Sequence, residues 1–156
     1  MEFRLAKEED IDTVYDYIRK LAVFESREDD FKLDKETLYR AMFEDNLGEV
    51  MLATEDGKII GYCFFYHVFS SFSGLTKMYL EDMYIDEQYR GGGKGREFFR
   101  QMAKTALSRG YGSMIWGALD WNVSAIGLYL KIGAEVENGR SHFELPLDKM
   151  EKLISE

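Results

Sequence analysis

The stretch Arg90-Gly91-Gly92-Gly93-Lys94-Gly95 decides how the rest of this sequence is interpreted. It lies between a strand-like run at residues 80–85 and a helix-like run at residues 96–109. Glycine at four of its last five positions would destabilise the interior of a strand or a helix, so the stretch is predicted to be a loop. A loop that opens a helix directs several backbone N–H groups at one point, beside the positive end of the helix dipole, and Arg90 adds a positive charge there. That arrangement binds phosphate, so the sequence indicates a phosphorylated ligand, in particular a cofactor.

Three kinds of glycine-rich phosphate loop can be compared with this stretch. A P-loop requires Ser or Thr directly after its lysine, whereas Lys94 is followed by Gly95, so no hydroxyl is placed for a magnesium ion. A dinucleotide-binding loop requires a third glycine where this chain has Arg96, and it follows the first strand of its domain, whereas this loop lies in mid-chain. The third pattern, Arg-x-x-Gly-x-Gly, fits at Arg90, Gly93 and Gly95.

The helix predicted after the loop argues against the alternative of a flexible turn with no ligand. Its apolar side chains recur at the spacing of one helix face, at Phe98, Phe99, Met102, Ala103, Ala106 and Leu107. A helix with such a face packs firmly on a sheet and would hold the loop in place.

The loop and three other segments resemble the GNAT superfamily of acyl-CoA-dependent N-acetyltransferases. Residues 119–134, from Leu-Asp-Trp-Asn to Gly-Ala, resemble the C-terminal motif of that superfamily. The segments Leu21-Ala22-Val23-Phe24-Glu25 and Tyr79-Leu80-Glu81-Asp82-Met83-Tyr84-Ile85 resemble its diamine branch, which includes spermidine/spermine and thialysine acetyltransferases. The similarity runs from about Phe3 to Lys149.

The resemblance implies a fold and an activity. The fold is the α/β GNAT fold, a mixed central sheet flanked by helices, in one domain over residues 1–156. The activity is direct transfer of an acetyl group from acetyl-CoA to a primary amine of a small cationic acceptor, namely a diamine, a polyamine or a lysine-like amine. Two alternatives stay open at this point: a catalytically weak acyl-CoA-binding sensor or assembly module, and a binder of nucleotide phosphates.

The resemblance also implies which residues bind acetyl-CoA as co-substrate. Residues 83–85 would pair with the pantetheine arm, residues 90–96 would bind the pyrophosphate, and the start of the last helix would contact the arm again. The implied set is Met83, Tyr84, Ile85, Arg90, Gly91, Gly92, Gly93, Lys94, Gly95, Arg96, Asn122, Ser124 and Ala125. For Asn122, the role of a helix N-cap is an equally good interpretation.

Acetyl transfer to an amine needs a base for the ammonium and a proton for the leaving thiolate. By resemblance, Tyr129 is the general acid, and a tyrosine packed in the core is the alternative. Glu81 is the predicted base, although strand alternation places Glu81 and Asp82 on opposite faces and both could be solvated charges. The predicted acceptor-binding residues are Phe24, Glu25, Glu81 and Asp82.

The resemblance weakens towards the end of the chain. Arg140 falls near the position at which diamine acetyltransferases carry an acid, and His142 near one at which they carry a tryptophan. Lysine analogues are therefore expected to compete with diamines as acceptors. A homodimer is also implied by the resemblance, and aromatic residues around Phe69 and Phe72 are compatible with an interface.

Composition and charge restrict the class of protein further. The chain has 156 residues, of which 46% are hydrophobic and 15% aromatic, so it is expected to form one domain with a substantial core. Its net charge of −9 argues against nucleic acid and anionic membranes as partners and suits a cationic substrate.

The sequence does not indicate a metal site, a disulfide or a membrane span. Cys63 is the sole cysteine and is expected in the core, and the two histidines, His67 and His142, are too far apart in the sequence for ligand spacing. The apolar run at residues 59–69 is too short to cross a bilayer. Since no signal peptide is apparent either, a cytoplasmic protein is expected.

Periodicity and turn residues predict the element order βααβββαβαβ with an antiparallel first half. Strands are expected at residues 2–6, 50–53, 59–64, 77–85, 113–119 and 142–147, with a hairpin turn at Asp56-Gly57. Helices are expected over residues 11–22, after an N-cap at Asp34, over 96–109 and over 124–132, the last two ended by Gly110 and Gly133.

Overall fold

The computed structural model describes residues 1–137, 139 and 141–155. Arg140, for which the sequence suggested a role near the acceptor, lies outside the described residues. The strands are β1 (Glu2–Leu5), β2 (Glu49–Glu55), β3 (Lys58–Ser70), β4 (Leu75–Ile85) and β5 (Ser113–Trp116). The helices are α1 (Ile11–Phe24), α2 (Lys35–Tyr39), α3 (Lys94–Ser108), α4 (Val123–Lys131) and α5 (Leu147–Leu153), and a π-helical turn at Arg40–Glu44 extends α2.

The five strands form one sheet, with the strands in the order of the sequence. Strands β1 to β4 pair antiparallel, and β5 pairs parallel to β4. A parallel neighbour needs a long crossover connection, and α3 provides it. The glycine loop therefore lies where β4 ends and this crossover begins.

Each face of the sheet is covered by helices, because alternate side chains of the strands point to opposite faces. Strand β3 shows the alternation directly, since Tyr62 belongs to one buried cluster and Cys63 to the other. The first cluster joins the sheet to α1 and α2 and contains Val14, Tyr17, Leu21, Leu38, Met42, Val50, Leu52 and Tyr62. The second joins it to α3 and contains Met51, Ala53, Ile60, Cys63, Phe65, Met78, Leu80, Phe98, Phe99, Met102 and Ala106.

Most of the predicted local signals are confirmed. Asp56 and Gly57 form the turn between β2 and β3 with φ values of 50° and 73°. Asp34 caps α2 by accepting a hydrogen bond from the Thr37 N–H at 2.7 Å. Gly110 and Gly133 have φ values of 73° and 91°, and each lies just beyond the end of its helix.

The predicted last strand at residues 142–147 is wrong. In the structure, residues 141–146 form neither helix nor strand, and Leu147 is the first residue of α5. Pro146 has a φ of −60° and no N–H group, so it suits the start of a helix, and residues 147–153 are mostly good helix formers. The alternation that suggested a strand ends at that proline.

The turn between β3 and β4 exposes two aromatic side chains. Phe69 is 70% exposed and Phe72 is fully exposed. The homodimer implied by the resemblance stays a prediction, which the mass of the protein in dilute solution can check. Among the described residues, no helix has the length and apolar character that a membrane crossing requires.

Candidate functional site

Strands β4 and β5 separate partway along their length, and a cleft opens between them. Their pairing ends at Leu80 and Trp116, whereas β4 continues to Ile85. Residues 77–80 of β4 pair with β5 along one edge of the strand. Within the described part of the chain, no strand pairs with residues 81–85 along that same edge. The resulting cleft has a volume of about 400 Å³ and reaches from the glycine loop to the end of α1.

The structure brings together all but one of the residues that the sequence proposed for a site. Gly92 does not line the cleft. The others do, and they are Phe24, Glu25, Glu81, Asp82, Met83, Tyr84, Ile85, Arg90, Gly91, Gly93, Lys94, Gly95, Arg96, Asn122, Ser124, Ala125 and Tyr129.

A β-bulge at Glu81 places two adjacent carboxylates on the same face of the sheet. Phe64 pairs with Asp82 and Phe65 pairs with Leu80, so Glu81 has no partner in β3. The expectation that Glu81 and Asp82 lie on opposite faces is therefore wrong, because a bulge adds one residue and interrupts the alternation.

Two tyrosines of β3 show the orientation of these carboxylates. The Tyr62 hydroxyl donates to Asp82 Oδ2 at 3.3 Å, and the Tyr66 hydroxyl donates to Glu81 Oε2 at 3.1 Å. Tyr62 and Tyr66 are four residues apart in one strand, which puts their side chains on one face. Both carboxylates thus face the side of the sheet that α1 covers.

The surroundings of Asp82 shift the pKa of its carboxylate. Its burial raises its pKa to about 6, and the nearby negative charges of Glu81 and Glu25 act in the same direction. The hydrogen bond from Tyr62 and the positive charge of Arg27 oppose this shift. Burial also raises the pKa of Glu25. A carboxylate with a pKa of about 6 is mostly ionised at neutral pH and can still accept and release a proton there.

The glycine loop has the geometry of an anion site. Gly91, Gly92 and Gly93 have consecutive φ values of 92°, 58° and 84°, a backbone conformation that glycine adopts at little cost. Within the described part of the chain, the N–H groups of Gly92, Gly93, Gly95 and Arg96 donate no hydrogen bond. These free donors and the N-terminus of α3 together favour a negatively charged ligand.

Arg90 is positioned by aromatic rings at the mouth of the cleft. Its guanidinium lies 4.5 Å from the ring centroid of Phe24 and 5.0 Å from that of Tyr84. Its Nε donates to the carbonyl of Ile85 at 2.9 Å. Phe24 also contacts Trp121, with 5.7 Å between the ring centroids. Arg90 therefore connects the glycine loop to the end of α1.

Tyr129 packs in the core and also lines the cleft, so its position is compatible with both of the roles that the sequence left as alternatives. Its ring packs edge-on against Phe99 and Trp116, with centroid distances of 5.3 and 5.4 Å, and it also lines the cleft. Burial raises the pKa of its hydroxyl, so the hydroxyl keeps its proton at neutral pH.

Asn122 is the N-cap of α4, as one of its two interpretations predicted. Its side-chain oxygen accepts a hydrogen bond from the Ala125 N–H at 3.2 Å. This places Asn122, Ser124 and Ala125 at the wall opposite β4.

Several cleft residues were not identified from the sequence. They are Leu21, Leu80, Phe99, Trp116, Gly117, Ala118, Leu119 and Leu128. The segment 117–119 was predicted to continue β5, but β5 ends at Trp116 because the two strands separate there. Periodicity identifies a strand but does not show where its neighbour diverges.

Among the described residues, no three His, Cys, Asp or Glu side chains are grouped so as to hold a metal ion.

Comparison with known proteins gives consistent matches over most of the chain. The sequence profile of the acetyltransferase (GNAT) family matches residues 12–134. Thialysine N-epsilon-acetyltransferase from Mus musculus is 33% identical over 141 residues, which cover 85% of this chain and 82% of that protein. L-ornithine N5-acetyltransferase from Arabidopsis thaliana is 35% identical over 92 residues, which cover 59% of this chain and 37% of that protein.

Solved structures of low sequence identity share the fold. A ribosomal-protein-alanine N-acetyltransferase from Brucella melitensis superposes with a TM-score of 0.75 at 18% identity, covering 92% of this chain and 99% of that one. An aminoglycoside acetyltransferase from an uncultured soil metagenomic sample superposes with a TM-score of 0.78 at 19% identity, covering 94% of this chain and 95% of that one.

Proposed function

The chain belongs to the acetyltransferase (GNAT) family, as its motifs predicted, and we propose on this basis that it transfers an acetyl group from acetyl-CoA to a small cationic primary amine. The family uses acetyl-CoA as co-substrate, and the acceptor would be a diamine, a polyamine or a lysine-like amine. The observation that carries the proposal is the single cleft that joins a phosphate-type glycine loop at one end to the carboxylates Glu25, Glu81 and Asp82 at the other.

The donor end of the cleft would hold the cofactor through backbone groups. The free N–H groups of the glycine loop suit the pyrophosphate, and the unpaired edge of residues 81–85 suits the amide-bearing pantetheine arm. Asn122, Ser124 and Ala125 line the opposite wall. With the arm between these walls, the thioester would lie near Tyr129.

The acceptor end would bind an ammonium ion and remove its proton. Three carboxylates attract a cation and raise its local concentration, but they also favour the protonated amine, which is unreactive. A base must therefore take one proton. The sequence suggested Glu81 as this base. Asp82 suits the role better, because its side chain is more buried than that of Glu81 and its pKa is raised to about 6.

The chemistry then proceeds by direct transfer. The neutral amine attacks the thioester carbonyl, the C–N bond forms and the C–S bond breaks. The Tyr129 hydroxyl supplies a proton to the leaving thiolate, and the second proton that the nitrogen loses as the amide forms restores the tyrosine hydroxyl through water. Cys63 is fully buried, and burial raises the pKa of its thiol, so it is poorly suited to form an acyl-enzyme intermediate.

Gly93→Val is expected to weaken acetyl-CoA binding by more than about tenfold. A β-branched residue is strained at a φ of 84°, by roughly 1–2 kcal/mol, and its side chain would occupy the open space above the loop. Isothermal titration with CoA measures the effect. Gly110→Val is the matched control, since Gly110 has a φ of 73° and similarly open surroundings but lies at the other end of α3. Equal CoA affinity for the wild type and a folded Gly93→Val variant would contradict the assignment of the loop.

Release of free thiol from acetyl-CoA with a panel of amines tests the proposed function. The panel should include lysine, ornithine, thialysine, spermidine and short diamines, because the names of the relatives point to amino-acid and polyamine acceptors. If CoA raises the melting temperature of the protein but no amine in the panel causes release of thiol from acetyl-CoA, the protein would instead be an acyl-CoA-binding protein. Stabilisation by nucleotide phosphates but not by CoA would contradict both.

A further inference from the structure

Two cations of the glycine loop, Arg90 and Lys94, differ in what surrounds them. Lys94 Nζ lies 3.0 Å from Glu55 Oε2, and both side chains are only partly exposed. That ion pair connects the loop to the last residue of β2 and neutralises the charge of Lys94. Arg90 has no comparable partner, since among the described residues no carboxylate oxygen lies within 4.0 Å of its guanidinium nitrogens. The positive charge of Arg90 is therefore not neutralised by an ion pair.

Aromatic rings hold Arg90 where an acid holds Lys94. The guanidinium carbon lies 4.5 Å from the ring centroid of Phe24 and 5.0 Å from that of Tyr84, and Nε donates to the carbonyl of Ile85. A ring attracts a cation through its quadrupole but carries no net charge. The rings thus fix the guanidinium and leave its positive charge, together with the four N–H donors at Nη1 and Nη2, for a negatively charged ligand.

Phe24 is the ring that reaches Arg90 from a distant part of the chain. It is the last residue of α1, and its own position is set by contacts with the rings of Tyr84 and Trp121, at centroid distances of 6.0 and 5.7 Å. A long side chain loses rotamer freedom when a ligand immobilises it, and a side chain that is already held loses less. Phe24 should therefore lower the entropic cost of binding an anion at Arg90.

We infer that Phe24, which the sequence assigned to the acceptor, is also a positioning residue for the cofactor and acts through Arg90. The inference rests on the proposed function. The Arg90 guanidinium would donate charge-assisted hydrogen bonds to the pyrophosphate of CoA, beside the free N–H groups of Gly92 and Gly93. Phe24 would contribute to cofactor affinity without touching a phosphate itself.

A double-mutant cycle on CoA affinity, measured by isothermal titration, tests this role. Phe24→Leu keeps an apolar side chain but removes the ring, and it should weaken CoA binding by about threefold to tenfold, the usual cost of immobilising one long side chain. In an Arg90→Gln background the same change should alter CoA affinity by less than about twofold, because no guanidinium is left to hold. A ring that only packs the wall of the cleft would cause the same loss in both backgrounds.

Two further variants separate the effect on Arg90 from a general loss of structure. Phe24→Tyr keeps the aromatic face, so its CoA affinity should stay within about twofold of the wild type. Phe31→Leu is the matched control, since Phe31 packs on Tyr15 with 5.6 Å between the ring centroids and does not line the cleft. It should leave CoA affinity unchanged, and circular dichroism checks that each variant is folded.

The outcomes distinguish this inference from the proposed function. Unchanged CoA affinity in a folded Phe24→Leu variant, or an equal loss with and without Arg90, would overturn the role of Phe24 and leave the binding of CoA and acetyl transfer intact. A wild type that binds no CoA would overturn the proposed function and this inference together.

Discussion

Asp82→Asn is expected to lower the rate of acetyl transfer by about 10²–10⁴-fold, the usual contribution of a general base, while acetyl-CoA affinity changes little. Asparagine keeps the size of the side chain and can still accept the hydrogen bond from Tyr62, but it cannot take a proton from the ammonium. Single-turnover kinetics with saturating acetyl-CoA measures the effect on chemistry rather than on product release.

Glu81→Gln is the matched comparison, because Glu81 is the neighbouring carboxylate on the same face and is bonded to Tyr66. It is expected to weaken acceptor binding more than it slows the chemical step. The reverse result, a slow Glu81→Gln variant beside an active Asp82→Asn variant, would assign the base to Glu81.

The pH dependence of the free energy of unfolding and of the transfer rate gives an independent test of the role of Asp82. Since burial raises the pKa of Asp82 from 3.8 to about 6, the folded protein binds one proton more than the unfolded chain between those values. The free energy of unfolding of the wild type should therefore fall as the pH rises from about 4 to 6 through this group. Asp82→Asn should lack this decrease, so its free energy of unfolding should change less than that of the wild type between pH 4 and pH 8. The transfer rate of the wild type should change in the opposite direction, rising as Asp82 loses its proton.

Tyr129→Phe is expected to lower turnover by at least about 10²-fold and to leave acetyl-CoA affinity within about twofold. The change removes one oxygen atom and keeps the ring that packs on Phe99 and Trp116, so the wall of the cleft should stay in place. Tyr79→Phe is the control, since Tyr79 stacks on Tyr66 and does not line the cleft. If Tyr129→Phe keeps full turnover when chemistry limits the rate, the residue has only a packing role.

The elements that form the proposed donor end could be predicted from the sequence because their signals are local. The glycine loop, the apolar face of α3 and the cap at Asn122 each lie within a few consecutive residues. Each of these signals requires particular residue types at fixed spacing, whatever the rest of the chain does.

The acceptor end depends on how distant segments pair, so the sequence predicted it less completely. The bulge at Glu81 is a property of the register between β3 and β4, which alternation within β4 does not reveal. The hydroxyl of Tyr62 reaches Asp82 only because of that register. The wrong last strand has a similar origin, since a short alternating segment becomes a strand only if a neighbour pairs with it.

The separation of β4 from β5 also has a consequence for how this protein can diversify. The donor end is built almost entirely from one continuous stretch, residues 83–96, together with the start of α4, whereas the acceptor end includes the last turn of α1. Under the proposed function, substitutions in the last turn of α1 are expected to alter the preferred amine, except at Phe24, whose ring also supports Arg90 of the glycine loop. Acceptor choice would then be a separately variable property, and a small library at that turn would be a compact route to new specificities.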